Sequence, residues 1–160
     1  MKFFKQNKHI LSACDGKCAE LSTIPDEAFS SGMLGQGVAL FPTNGRFYSP
    51  VNGRIENIAE SKHAYTILSD DGLELLLHIG VDTVELKGDG FSPLINEGDS
   101  VRAGDPIVDV DLQKIESHQR PTVTALLITN HEKIEIINQQ YGEIKGGKDI
   151  VLSYRIVQKG

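Results

Sequence analysis

Glycines recur at short intervals along this chain, and that punctuation limits what it can fold into. Sixteen are spread through 160 residues, and Asn44-Gly45, Asn52-Gly53 and Asp71-Gly72 separate short runs rich in β-branched side chains. Such runs between turn dipeptides are strands, and the interruptions leave little room for long helices. The runs fall at 37–41, 46–49, 54–60, 63–68, 73–79, 106–110, 122–129, 134–137 and 150–156. An all-β chain is therefore expected: an antiparallel β-sandwich or barrel-like fold with sharply bent strands. Helix is minor: Asp111 to Gln119 has a capping Asp, Leu112 and Ile115 at helical spacing and Pro121 as a stop, and Pro25 to Met33 holds a turn.

Length and charge narrow the class. A chain of 160 residues can bury a core as one domain, and no linker-like shift in composition divides it. We expect a flexible basic segment over 1–9 and one folding unit over 10–160. A formal charge of −6 argues against nucleic acid, whose binders cluster Lys and Arg. No run approaches a membrane span, and the start lacks the apolar core of a signal peptide, so a cytoplasmic protein is expected. Lys2, Lys5 and Lys8 around Phe3 and Phe4 could form one basic amphipathic turn, which is marginal alone.

The richest segment is SKHAYTILSDDGLELLLHIGVDTVELKGDGF, over 61–91. Leu73, Leu75, Leu77 and Ile79 share one strand parity and form a core face, so Glu74, Leu76 and His78 point the other way. A four-residue turn at Ser69-Asp70-Asp71-Gly72 would set Leu68 opposite Leu73 and His63 opposite His78. Opposed Cβ atoms lie about 4.5–5.5 Å apart, close enough for two rings to share one small group. A three-residue loop would shift the register by one and send the rings to opposite faces. Two apposed imidazoles admit a structural pair, half of a metal site, or a nucleophile with a helper that steadies a transferred anion.

The run His78-Ile79-Gly80-Val81-Asp82-Thr83-Val84-Glu85-Leu86-Lys87-Gly88-Asp89-Gly90-Phe91 closely resembles the signature of the glucose-type enzyme IIA family of the phosphoenolpyruvate-dependent sugar phosphotransferase system. The resemblance continues through Ile24 to Phe29, Met33 to Leu40, Ser49 to Gly53 and Lys62-His63-Ala64, and covers most of the chain from Ile10. It implies a phosphocarrier. His78 would take a phosphoryl group on Nε2 from the histidine-containing phosphocarrier protein and pass it to a cysteine of a sugar-specific enzyme IIB of an IIB/IIC permease. Gly80 would supply the carbonyl that holds the other ring nitrogen. His63 would brace the phosphoryl oxygens, and Ser61, where the family usually has threonine, would orient His63. Asp26 and Asp82 would meet basic groups on partners; Phe29, Leu76 and Val84 match an apolar docking rim. Family members often carry aromatic residues where this chain has Ala59 and Leu76, so partner choice is expected to differ. The family also implies regulated cytosolic enzymes or transporters as further partners, and a monomer is expected.

No GxxxxGK[ST] loop occurs, which suits phosphoryl chemistry without ATP, and no cofactor is expected to be required. His63 and His78 could take an adventitious or regulatory Zn²⁺ with a carboxylate from elsewhere. A zinc-dependent peptidase would need a His-x-His pair besides His78-x3-Asp82, and none is present. A swinging-arm carrier needs a lysine at a hairpin tip, which Asn52-Gly53 and Asp71-Gly72 lack, although Ser49 to Ile55 and Asn96 to Val108 resemble the bends of biotinyl and lipoyl domains. A regulatory module that has lost the relay remains a rival that both histidines oppose. Cys14 and Cys18, three residues apart, read as free thiols. His9, His118 and His131 follow no ligand spacing and read as surface residues.

Overall fold

A computed structural model describes residues 7–157. The strands are β1 (Lys8–Leu11), β2 (Gly16–Glu20), β3 (Gln36–Pro42), β4 (Arg46–Tyr48), β5 (Gly53–Ile58), β6 (Ala64–Ser69) and β7 (Glu74–His78). They continue with β8 (Phe91–Pro93), β9 (Ser100–Val101), β10 (Pro106–Val110), β11 (Thr124–Ile128), β12 (Ile134–Gln139), β13 (Gly142–Ile144) and β14 (Ile150–Ile156). The helices are α1 (Glu27–Ser30) and α2 (Leu112–Ser117), each capped by the aspartate before it: Asp26 accepts from Ala28 N and Asp111 from Lys114 N. The all-β expectation holds, with every paired strand antiparallel and the sheets open rather than closed into a barrel.

An eight-stranded sheet runs β13-β2-β3-β11-β7-β6-β5-β9, and two three-stranded sheets, β1-β14-β12 and β4-β10-β8, accompany it. The strand after the hairpin turn behaves as its parity predicts. Leu73, Leu75, Leu77 and Ile79 are buried in the main core with Phe47, Tyr65 and Ile107. Removing that apolar area from water, at about 25 cal/mol per Å², is the main force on this layer.

The opposite face of the sheet is covered too. Ile24, Phe29, Ala39, Val81, Val123, Ala125 and Leu127 form a second, smaller cluster, with Leu21 and Leu76 against it. A row of small residues makes room for this layer: Ala19 pairs with Ala39, Ala39 with Ala125, Ala125 with His78, and His78 with Ala64. The imidazole at position 78 thus rises between two methyl-sized neighbours.

Two bends repeat with the same bonding. Ser12 Oγ donates to Cys14 O as Ser49 Oγ donates to Val51 O, both at 2.7 Å. Gly147 N donates to Ser12 O and Gly104 N to Ser49 O, while Ser12 N and Ser49 N donate to Asp149 O and Asp105 O. Ser49–Ile55 and Asn96–Val108, expected to bend as in biotinyl and lipoyl domains, meet as two halves of one bend, and the chain contains that bend twice.

Several expectations are revised. β1, β2, β8, β9 and β13 carry little strand pattern and exist because a neighbour pairs with them. Lys8 and His9 belong to β1, paired with Tyr154 and Ser153, so the folded unit begins before residue 10. Of the amphipathic turn expected from Lys2, Lys5 and Lys8 around Phe3 and Phe4, Lys8 belongs to β1 and the rest lies outside the described residues. No helix among the described residues is long and apolar enough to cross a membrane.

Candidate functional site

The hairpin β6–β7 does not have the expected register. Ser69 and Leu73 close a three-residue loop: Ser69 N donates to Leu73 O at 2.8 Å, and Leu73 N donates to Ser69 Oγ at 2.9 Å. Gly72 N returns to Ser69 O with Gly72 at φ 91°, the left-handed position that such loops assign to glycine. Leu68 therefore faces Glu74, and Ala64, rather than His63, faces His78.

The rings nevertheless meet. His63 lies just outside β6, where its carbonyl accepts from Ile79 N at 2.8 Å, and Lys62 before it stands at φ 61°. Strand alternation does not bind a residue beyond the end of the strand, so the ring is not forced to the inner face. The two imidazole centroids lie 4.9 Å apart with ring planes at 83°. His78 also packs against Phe29, centroid to centroid 4.7 Å.

His78 Nδ1 lies 3.0 Å from Gly80 O. A carbonyl oxygen only accepts, so the proton of the neutral ring resides on Nδ1 and the lone pair on Nε2. Gly80 holds φ 77°, and a Cβ there would fall 2.4 Å from Thr83 Cγ2 and 3.0 Å from Pro121 O. The position thus needs glycine for both torsion and space. Burial lowers the basicity of His78, against the opposing pull of the Gly80 carbonyl, Asp26 and Asp82. Burial, and then His78, push His63 down to about 4, with the Ser61 backbone opposing. Two neutral rings result near pH 7, and a neutral ring is the nucleophilic form.

The remaining residues take distinct places. Ser61 is half-buried, but its hydroxyl makes no described hydrogen bond, and the buried His63 Nδ1 has no partner among the described residues. Asp26 caps α1, whereas Asp82, at φ 58°, is exposed and its side chain caps nothing. Phe29 is only 6% exposed and Leu76 half-buried, so of the three rim residues only Val84, at 51%, stands in solvent. Met33 at 80% and Leu34 at 42% are exposed in the loop after α1. Sequence reasoning did not single out this exposed apolar pair; two apolar residues between Gly32 and Gly35, where a turn exposes both, were the available signal.

Cys14 and Cys18 are free and buried in the main core. His9 and His118 are exposed and His131 half-buried, all apart from the hairpin. No group of three or more metal-ligating side chains occurs among the described residues. His63 and His78 together provide two ligands, so a Zn²⁺ there would draw further ones from another molecule.

Comparison with known proteins decides the family. Residues 8–134 match the model described as phosphoenolpyruvate-dependent sugar phosphotransferase system, EIIA 1. The chain belongs to this family. Among its relatives is a PTS system glucose-specific EIIA component of Haemophilus influenzae, 37% identical over 155 residues, covering 94% of this chain and 93% of that one. Another, from Staphylococcus aureus, is 38% identical over 144 residues, covering 89% and 87%. The solved glucose permease IIA from Mycoplasma capricolum superposes with a TM-score of 0.89 at 36% identity, covering 96% and 99%. As an EIIA, the chain is a phosphotransferase component of sugar uptake, working with phosphocarrier and EIIB partners. The same likeness supports the open antiparallel fold.

Proposed function

We propose that His78 Nε2 accepts a phosphoryl group from the phosphorylated histidine-containing phosphocarrier protein and passes it to a cysteine of a sugar-specific enzyme IIB. The observation that carries this reading is the bond from His78 Nδ1 to the Gly80 carbonyl, which leaves Nε2 unprotonated beside a second ring. In the first transfer the donor's P–N bond breaks as a P–N bond to Nε2 forms, while Nδ1 keeps its proton and donates it in the hydrogen bond to the Gly80 carbonyl. In the second, the cysteine attacks as its thiolate, so that bond breaks as a P–S bond forms and His78 returns to its neutral Nδ1–H form. Alignment and electrostatics do most of the work of moving a phosphoryl group.

His63, 4.9 Å away between centroids, braces the phosphoryl oxygens as a neutral donor. Ser61 is the residue available to steady it by rotation of its hydroxyl. Met33, Leu34 and Val84 give partners an apolar contact, and Asp26 and Asp82 a negative one. In this reading the protein acts in the cytoplasm as a monomer, requires no cofactor and serves a glucose permease, as the names of its relatives suggest.

Incubation with radiolabelled phosphoenolpyruvate and the upstream enzymes tests the reading. The wild type should be labelled and His78→Ala should not. His63→Ala should take label but deliver it slowly to enzyme IIB. An unlabelled wild type would overturn the function, and an unlabelled, folded His63→Ala the division of roles.

A further inference from the structure

Gly80 aims its carbonyl at His78 Nδ1, yet glycine is the residue with the widest torsional freedom. A φ of 77° is open to it, but nothing in the residue itself selects that conformation over its others. The aim is set by what holds the two peptide planes on either side of its Cα.

The plane after Gly80 is held from another segment. Val81 N donates to Pro121 O at 3.1 Å. In a trans peptide the N–H and C=O point in opposite directions. Anchoring Val81 N–H on one side therefore sends Gly80 O the other way, to His78 Nδ1 at 3.0 Å.

The plane before Gly80 is held by a side chain. Thr83 Oγ1 donates to Ile79 O, four residues back, and the left-handed Asp82 at φ 58° folds the chain so that it can. Thr83 is fully buried at the start of the 3-10 turn Thr83–Leu86. It also crowds the glycine, since a Cβ at position 80 would fall 2.4 Å from Thr83 Cγ2 and 3.4 Å from Oγ1. Ile79 is tied at its other end, where its N–H donates to His63 O at 2.8 Å. One residue thus joins the backbone of His63 to the hydroxyl that governs the acceptor of His78. Ile79 is itself fully buried, so no water can replace that hydroxyl. Without it the plane is free to tilt, and the Gly80 carbonyl swings with it.

We propose that Thr83 is a positioning residue for phosphoryl transfer: its hydroxyl fixes the Ile79–Gly80 peptide and so keeps the Gly80 carbonyl on His78 Nδ1. The inference rests on the phosphocarrier reading above. As Nε2 bonds phosphorus the ring gains positive charge, and a hydrogen bond from a charged donor is roughly twice as strong as a neutral one. A misaimed carbonyl therefore costs the transfer more than it costs the resting ring.

Two variants separate the donor from the shape. Thr83→Val keeps the branched side chain and removes the hydroxyl, whereas Thr83→Ser keeps the hydroxyl and removes the methyl. In nitrogen-15 spectra of the His78 ring, the valine variant should lose about fivefold in the ratio of Nδ1–H to Nε2–H tautomer, and the serine variant much less. With the phosphorylated histidine-containing phosphocarrier protein as donor, the limiting rate of label uptake by the valine variant should fall about tenfold. The donor concentration for half-maximal rate should stay at the wild-type value, because Thr83 lies out of solvent and out of a partner's reach. A folded valine variant with the wild-type tautomer ratio and limiting rate would overturn the proposal, as would a serine variant impaired as much as the valine one. If the valine variant does not fold, the wild type decides. Its Thr83 hydroxyl proton should exchange slowly and show a scalar coupling to the Ile79 carbonyl carbon; a freely exchanging hydroxyl would overturn the proposal. A wild type that takes no label would instead overturn the phosphocarrier reading, and the tautomer ratios would then judge Thr83 alone.

Discussion

Replacing Gly80 by alanine tests the link between backbone and reactivity most directly. Two costs add. The left-handed φ of 77° costs a residue with a Cβ about 1–2 kcal/mol. The new methyl would sit 2.4 Å from Thr83 Cγ2 and 3.0 Å from the Pro121 carbonyl, an overpacking of about 1–3 kcal/mol. A summed loss of about 2–5 kcal/mol leaves a domain in the middle of the ordinary range of about 5–15 kcal/mol folded. Relief of the clash must move the chain at 80, and with it the carbonyl 3.0 Å from His78 Nδ1. That bond is worth about 1 kcal/mol, or roughly fivefold in the ratio of the two neutral tautomers. Urea unfolding should show the stability loss. Nitrogen-15 spectra of the His78 ring should show the Nδ1–H form losing population, with label uptake from phosphoenolpyruvate falling in parallel. If the alanine variant unfolds at the wild-type urea concentration and keeps the Nδ1–H tautomer, the assignment of Gly80 as the group that exposes Nε2 is wrong.

Acid should weaken the fold through His63. Its folded pKa, about 4, lies below the unfolded value of 6.5, so the unfolded chain binds more protons between those limits. Unfolding free energy should therefore rise as pH goes from 4 to 6.5, and His63→Gln should flatten that slope; equal slopes would refute it. The thiols should be inert: burial pushes Cys14 up and Cys18 to about 11, so a thiol reagent at pH 8 should react at the rate of unfolding. Rapid labelling of the native protein would contradict the buried placement.

Much of the architecture was legible because it is local. The leucines at 73, 75 and 77 declare their face by alternation, Asp111 and Pro121 bracket α2, and both histidines and the aspartates lie within readable motifs. The short strands were not legible. β2, Gly16–Glu20, has no strand pattern, and it is extended because β3 and β13 pair with it. The expected register failed for a related reason, since Asp70-Asp71-Gly72 accommodates either loop. The choice fell to the left-handed Gly72, the Ser69 hydroxyl on Leu73 N, and the Tyr154 hydroxyl that donates to Asp71 at 2.7 Å from a distant strand. Exposure was misjudged where packing decided it: Phe29, expected at the surface, packs on His78 and is buried, while Met33 stands in solvent.

By itself the sequence determined the composition of the site: two imidazoles on one hairpin, a glycine two residues after His78, and carboxylates on either side. Only the tertiary structure decided how those groups face one another. Strand alternation in the observed register would part the rings, and they meet because the left-handed Lys62 and the early end of β6 free His63 from it. Periodicity is a property of neighbours along a chain, whereas the distance between two rings depends on where each strand stops and what packs beyond it.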